Sequence, residues 1–544
     1  MWNINPRGPN SDFVRTFALA ESTNTSMTRH AFLGVSLGLC LATLGCGPNR
    51  IARQRLSPEL AKTADTSSHF IKVHVKDGGV YVLAGWQIGT DTIFGHGVHL
   101  DQYRDTISAS SKTRSNFAVP MSNVAIIETN GTSLGEVTPF SVIAVAHFLT
   151  TVFCIFSPKT CFGSCPTFYI NQDGREALVA EGFSSSISPS LEAEDIDALY
   201  RFKPSSRDLD ITMKNEALET HVVKQVDVLA VPRNAGCRVF KSDDGSYWES
   251  SHIACPTSCT AREGDILDRI QEYDGVERRS WTDSNDLAKQ EVIDVSFGPS
   301  EIGDYGIVIA ARQTFVSTFL FYQGMSYLGT TAGDYYARLE RGDSSFVKQF
   351  EHFKTVLGGI EVLVELPSGT WEKKGAVTEE GPIASDVHCI KLTGIGSPKH
   401  VQLRMAQGSW RIDWIAMAKL DRVALPIRIQ PIGRVQTSKQ MLLDSTNGDK
   451  PETKDALVTL PGEVYRYSFH LPENPDAFEY FLSARGYYLE WMREEWSREE
   501  NPVLAAQFFM MPEVALKTNA GKFKQLEQAM EVEFWKSKIA GAAQ

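Results

Sequence analysis

The sequence predicts a mainly β, multidomain protein with a helical C-terminus. Three observations carry this. First, a period of two recurs far apart along the chain. Ile71, Val73 and Val75 alternate with Lys72 and His74, Leu209, Ile211 and Met213 with Asp210 and Thr212, and Val401, Leu403 and Met405 with Gln402 and Arg404. Such alternation places one face of a strand inward and the other in water. Second, 544 residues exceed what one core organises, and a prior of about 150 residues per domain suggests three or four domains. Third, the period changes at the end, where Phe523, Leu526, Met530 and Phe534 fall on one helical face. The composition, 42% hydrophobic and 22% charged, is that of globular domains. A net charge of −12 argues against nucleic acid as a partner, because phosphate binding needs a basic face.

Residues 1–46 read as a targeting segment. Met27-Thr28-Arg29-His30 is a short basic region, Ala31 to Leu44 is apolar and uncharged, and Gly45 precedes Cys46. The apolar run is too short to span a bilayer, so the pattern is a signal peptide. It resembles a bacterial lipoprotein signal. The resemblance implies lipidation at Cys46, a membrane partner through that anchor, and a place in the cell envelope, on the periplasmic or surface face of the outer membrane. Thr43 departs from the leucine usual three residues before the cysteine; an ordinary cleaved signal or an uncleaved anchor is the alternative. The polar residues before Met27 show no targeting pattern, which makes Met27 the expected start. Residues 47–68 are polar with scattered charge and read as a tether.

Residues 69–138 are expected to form a small, barrel-like β unit. Phe70 opens a strand, Asp77-Gly78-Gly79 turns it, Val80 to Leu83 continues and Val124 to Ile127 closes. His96 and His99 lie in Gly95-His96-Gly97-Val98-His99; without a Cys, Asp or Glu at fixed spacing they read as turn or surface residues and not as metal ligands. Gly131-Thr132-Ser133-Leu134-Gly135 fits the G-x-S-x-G nucleophile pattern. That chemistry needs a strand-to-helix turn, an acid and a histidine such as His221, His252 or His388. The surroundings are β-rich and Asn130-Gly131 already explains a turn, so no catalytic residue is assigned.

Residues 139–205 hold an apolar run and a cysteine hairpin. Phe140 to Phe156 carries no formal charge and sits at the short limit of a membrane span; a buried helix running into a strand is the preferred reading, with Pro139 suited to a first helical turn. Then comes Cys161-Phe162-Gly163-Ser164-Cys165-Pro166. Thr167 to Ile170 is aromatic and β-branched, Asp173-Gly174 turns, and Leu178-Val179-Ala180 returns toward Gly182. This hexapeptide with its hairpin resembles a small module of unknown function in exported bacterial proteins, over Cys161 to Tyr200. More loosely, the whole chain resembles uncharacterised bacterial exported lipoproteins that carry the module. The resemblance implies an envelope location and brings no catalytic residue with it.

Residues 206–290 are expected to be β-sandwich-like. Leu209 to Met213 and His221 to Val231 resemble adjacent strands of immunoglobulin-like sandwiches. Ala261 to Gln271 reads as a helix and Arg278 to Lys289 as a linker. Residues 291–430 are again β-rich, with Ile307 to Ala310 and Gly358 to Glu365 as strands and Phe315 to Tyr336 ambiguous. Trp410-Arg411-Ile412-Asp413-Trp414 opens a strand that resembles the last strands of galactose-binding-like sandwiches. That resemblance implies sugar binding, with Trp410 and Trp414 as candidate stacking residues; the alternative is that both pack in the core. Arg341-Gly342-Asp343 recurs by chance in long chains and is discounted. Residues 431–544 are expected to give a strand pair around Leu460-Pro461-Gly462 and Tyr465 to Leu471, a helix entered at Tyr487 to Met492, and a terminal helix whose apolar stripe docks on the body.

Removing Cys40 and Cys46 leaves seven cysteines, so at least one thiol is unpaired or pairs between chains. In an exported chain Cys154, Cys161, Cys165, Cys237, Cys255 and Cys259 are disulfide candidates. A four-cysteine zinc site from the two C-x3-C pairs is the intracellular alternative. It is disfavoured by spacing, since C-x2-C is the commoner knuckle. No P-loop, H-E-x-x-H or EF-hand pattern is present, and no cofactor or metal is expected. The expected role is a lipid-anchored envelope protein that binds or scaffolds another envelope protein. A carbohydrate-binding surface protein and an enzyme of unknown type are the alternatives.

Overall fold

The computed structural model describes residues 50–133 and 165–542, apart from short internal stretches of which 438–455 is the longest. The chain is mostly β, 48% strand and 20% helical, in several antiparallel sheets. Phe140 to Phe156, Cys154, Cys161 and Arg341 to Asp343 lie outside the described residues.

The N-terminal unit is an open seven-stranded sheet and not a barrel. Its order is Arg50–Leu56, Val124–Ser133, Phe70–Val75, Val80–Ile88, Thr92–Leu100 and Thr106–Ala109, with Phe117–Pro120 on the Thr92–Leu100 strand. The period-two residues Ile71, Val73 and Val75 fill its core with Leu83, Ile93 and Ile127. The expected tether is corrected here. Arg50 to Leu56 pairs residue by residue with Ser133 to Ile127, and Pro58–Thr63 is a 3-10 turn beside it. Polar, alternating sequence of that kind serves an edge strand as well as a spacer.

The main body is a stack of four antiparallel sheets. Sheet I runs Gly433–Gln436, Val464–His470, Asp208–Lys214, Thr167–Gln172, Arg175–Glu181. Sheet II runs Ala193–Ala198, Phe478–Glu490, Glu219–Pro232, Ile427–Ile429, with Leu457–Thr459 also on Glu219–Pro232. Sheet III runs Ile253–Ala254, Trp410–Lys419, Tyr305–Gln313, Asp386–Lys391, with Arg278–Arg279 on Trp410–Lys419. Sheet IV runs Gly264–Asp265, Ser258–Ala261, Gln290–Ser296, His400–Ala406, Ile360–Glu365, Trp371–Val377. A small sheet of Arg238–Lys241, Tyr247–Ser250 and Arg422–Ala424 sits beside the middle layers.

The side-chain period decides which sheets lie outside. In sheets I and IV, Leu209, Ile211, Met213 and Val401, Leu403, Met405 each point into one core while their neighbours, the buried Ala406 apart, are wholly or partly exposed. In sheets II and III both faces are used. Val226, Val228 and Ala230 enter the core shared with sheet I, whereas Leu229 and Val231 enter the core shared with sheet III. Ile307, Ile309 and Ala311 likewise face sheet IV while Val308 and Ala310 face sheet II. A strand covered on both sides reads as a continuous apolar run, as Tyr305–Gln313 does. Each aliphatic side chain so buried contributes about 1.5–3 kcal/mol relative to exposure.

Three expectations change here, one domain division and two helices. Strands of 431–490 pair with strands of 193–232, so sheets I and II are completed from both ends of the body. Residues 233–426 are inserted between those halves. Tyr487 to Glu490 continues the strand Phe478–Glu490 and does not begin a helix. Ala261 to Gln271 is a strand end, a turn and a 3-10 turn at Leu267–Arg269, because Gly264 takes φ +107 and breaks helical continuity.

Helices cap one end. We number them α1 (Val316–Leu328), α2 (Ser344–Leu357), α3 (Pro502–Met510) and α4 (Pro512–Ala542). Asn501 caps α3 by accepting the Leu504 N–H at 3.1 Å, with Pro502 in the first turn. Gly324 lets α1 approach α3, since a Cβ there would meet Phe508 at 2.9 Å. Phe523 and Met530 of the predicted stripe are buried against Phe319, Leu320 and Leu516, whereas Leu526 is 38% exposed. No helix among the described residues is long and apolar enough to cross a membrane.

Candidate functional site

The cysteine hairpin forms as its residues dictate. Thr167–Gln172 pairs with Arg175–Glu181, and Gly174 supplies the turn at φ +79. Its far end carries the densest group of buried titratable side chains near the module. Glu181, 3% exposed, accepts the N–H groups of Ile383 at 2.7 Å and Ala384 at 3.1 Å through one oxygen. Phe183 holds a left-handed φ of +39, and its N–H donates to Asp195 at 2.8 Å. Asp386 accepts the Ala198 N–H at 2.7 Å, and His388 Nε2 lies 3.7 Å from its other oxygen. Gly381 has no room for a side chain, because a Cβ would stand 2.2 Å from the Glu181 carboxyl.

Burial sets the protonation of this group. It pushes Glu181 up to about 7 against the pull of the two backbone N–H groups, and Asp195 up to about 6 with Asp386 adding to the rise. His388 is pushed down by burial. Burial drives the Cys165 thiol well above its ordinary value, and the carboxylates of Glu181, Glu219 and Asp195 drive it the same way. A reactive cysteine needs the opposite surroundings. Chemically the cluster holds backbone: the loop 381–384 is gripped by Glu181 on its N–H groups and by Arg312, whose Nη1 donates to the Pro382 carbonyl at 2.6 Å.

Arg312 leads into a second constellation that the sequence did not announce. It is fully buried and donates through Nε and Nη2 to both oxygens of Glu277, each at 2.7 Å. Arg278, also fully buried, donates to Glu263 at 2.8 and 3.0 Å and to Glu291 at 2.9 and 3.0 Å. Arg411 stands between Glu277 and Glu531 of α4. Burial, with Arg312 beside it, pushes Arg411 down to about 9. Glu527 of α4 accepts from the Thr282 N–H at 2.8 Å and its hydroxyl at 3.0 Å. Through these contacts α4 is fastened to sheet III by charge as well as by its apolar stripe. Residues 278–289, read as a linker, therefore bury Arg278, Thr282 and Leu287 while Trp281, Ser284, Asn285 and Lys289 stay exposed.

The remaining candidates separate. Trp410 is 1% exposed, in the core between sheets III and IV, so its part in sugar stacking is corrected to core packing. A bulge at Asp413 shifts the register between Ile412 and Trp414 and turns Trp414 to the opposite face. There Trp414 is half-buried against Tyr273, ring centres 6.4 Å apart, with the Arg201 guanidinium 4.0 Å above the Tyr273 ring. Ser133 lies within an antiparallel strand opposite Arg50, whereas His221 and His388 belong to sheets II and III and His252 precedes the first strand of sheet III. His221 pairs with Glu219 at 3.1 Å. His99 stacks on Tyr81 at 3.9 Å. No group of three or more metal-ligating side chains occurs among the described residues.

Among the described residues no two disulfide candidates are bonded to each other, and the candidates Cys154 and Cys161 lie outside those residues. Cys165, Cys237, Cys255, Cys259 and Cys389 are free thiols. Cys165 belongs to the core between sheets I and II and Cys259 to that between sheets III and IV, so the two C-x3-C pairs do not converge on one ion. Cys255 is exposed and its thiol faces the Gln271 carbonyl at 3.8 Å instead of Cys259.

No family model matches the chain, and no curated protein matches it. Among solved structures, a Salmonella alpha-2-macroglobulin is similar over 70% of this chain, at 8% identity and a TM-score of 0.08. The chain spans 30% of that protein's length. At that score the likeness carries no argument about fold or role.

Proposed function

We propose that the chain is a lipid-anchored protein of the bacterial cell envelope that binds or scaffolds another envelope component and performs no catalysis. The observation that carries the reading is Gly45-Cys46 at the end of the uncharged run Ala31 to Leu44 behind Arg29 and His30. Lipidation at Cys46 would put the acyl chains four residues before the strand that starts at Arg50. The β body would then lie against the membrane and not stand off it. The layered sheets support a binding role: stacked antiparallel sheets give a stiff frame whose rims and loops carry recognition. In this reading sheets III and IV are the galactose-binding-like sandwich and the hairpin at Cys165 is the module of exported proteins. Intact mass from the native host tests the proposal. A mass beginning at an acylated Cys46 is expected. A mass beginning at Met1 or Met27, without acyl chains, would overturn it.

A further inference from the structure

Helix α3 is apolar on every face. From Pro502 to Pro512 no residue is charged, and Gln507 is the one polar side chain. One side is enclosed: Ala505 and Phe508 are buried, and Phe508 stacks on Phe353 with ring centres 4.9 Å apart. The other side is in water. Val503 is 75% exposed and Met510 70%, with the exposed Ala506 between them and Met511 beside them at 51%. Val503, Ala506 and Met510 follow at offsets of three and four and so share one face. A helix apolar all round is ordinarily enclosed, by protein or by lipid. The backbone at its two ends is paired. Leu504 N–H donates to Asn501 Oδ1, Met511 N–H to the Gln507 carbonyl, and the Val514 and Ala515 N–H groups to the Met511 carbonyl. The helix also neighbours the N-terminal strand. Arg50–Leu56 lies beside the turn Gly329–Thr331 that ends α1. Glu500 lies against Gly329 of that turn, and the Asn501 N–H donates to the Tyr327 carbonyl at 2.9 Å. One turn thus joins the start of α3 to the strand that begins four residues after Cys46.

We propose that Val503, Ala506, Met510 and Met511 dip into the acyl boundary of the bilayer that holds the Cys46 anchor, as a second membrane contact that fixes how the body sits. The inference rests on the anchor proposed above and names the surface against which that anchor sets the body. Lipid fits this face because an uncharged helix with paired backbone gives up no ion pair and no hydrogen bond on entering hydrocarbon. Exposed Glu513 and Lys517, in the first turns of α4, mark where the water boundary would fall. A second copy of the chain is the weaker fit. Four side chains of this size fall well short of the roughly 800 Å² that each partner of a stable interface buries. A small contact suffices at a membrane, because the anchor already confines the chain to its surface.

The test uses the full acylated chain with Cys255→Ser, so that an exposed native thiol takes no label. Val503→Cys, Met510→Cys or Ile302→Cys then carries a nitrobenzoxadiazole fluorophore, the last at an exposed site outside the helices. The chain is bound to vesicles of phosphatidylethanolamine and phosphatidylglycerol that contain a lipid with a nitroxide on its acyl chain. The nitroxide should quench the labels at 503 and 510 about twofold or more and leave the label at 302 unchanged. Adding Met510→Asp should bring the label at 503 down to the quenching seen at 302. Flotation of the same vesicles reads the anchor separately. A chain that floats while 503 and 510 are quenched no more than 302 overturns the second contact and leaves the anchor standing. A chain that does not float overturns the anchor and this inference with it. A dimer of the unacylated Cys46→Ser chain in sedimentation, dissolved by Met510→Asp, would assign the face to a second copy and overturn the proposal too.

Discussion

Replacing Glu181 by glutamine should remove a pH dependence of stability. Glu181 titrates at about 7 in the folded chain against an ordinary value of 4.5. Between these values the folded state holds a proton that the unfolded state has released, so stability falls as pH rises. The contribution is complete below about 4.5, declines through the window, and is gone above about 7. At 1.36 kcal/mol per unit, the carboxyl costs the protein about 3 kcal/mol on going from pH 5 to pH 8. The geometry explains the sign: one oxygen takes two backbone N–H groups, while Oε1 is buried without a hydrogen-bond partner among the described residues. Arg312 favours the ion and Asp195 opposes it. Glutamine keeps an oxygen for Ile383 and Ala384 and carries no charge. Urea unfolding at pH 5 and pH 8, followed by tryptophan fluorescence, should show similar stability for both proteins at pH 5. At pH 8 Glu181→Gln should be the more stable by roughly 3 kcal/mol. Asp195, pushed up to about 6, leaves a residual slope in both. An unchanged pH slope in Glu181→Gln would refute the reasoning.

Three further outcomes follow from burial. Arg278→Ala strands Glu291, 6% exposed, and should cost about 3–5 kcal/mol of unfolding free energy. Arg278→Ala with Glu291→Gln should recover part of that in the same urea titration. Trp410→Ala should lower stability by about 3–5 kcal/mol. On a glycan array, any binding by the wild type should survive Trp410→Ala in the folded fraction and depend instead on Trp414. In alkylation mapped by mass spectrometry, Cys255 should react in the native protein, and Cys259 and Cys389 only after denaturation, because both are at most 1% exposed. Native labelling of Cys259 would show that the core between sheets III and IV opens.

Strand positions were legible where one face meets water. Leu209 to Met213 and Val401 to Met405 alternate because sheets I and IV are covered once. The hairpin after Cys165 was legible because Asp173-Gly174 fixes its turn locally. What escaped were properties set by distant partners. Arg278 looks like a surface charge until Glu263, Glu291 and the layers around them enclose it. Trp410 and Trp414 share a sequence period, and only the bulge at Asp413 sends them to different cores. Arg50 to Leu56 looked like a spacer because its partner strand lies some seventy residues on. Sandwich boundaries failed for the same reason: neither half of sheet II declares that its mate lies beyond an insertion.

That arrangement has a consequence for how the chain is made. Leu229 waits for Phe481, about 250 residues later, so sheets I and II are high in contact order and slow to assemble. Until the last strands arrive, both edges of Glu219–Pro232 are unpaired, and aggregation competes with folding. A chain that crosses a membrane before folding would need a holdase on the far side through that interval. A nascent chain stopped near residue 430 should be the species such a chaperone captures.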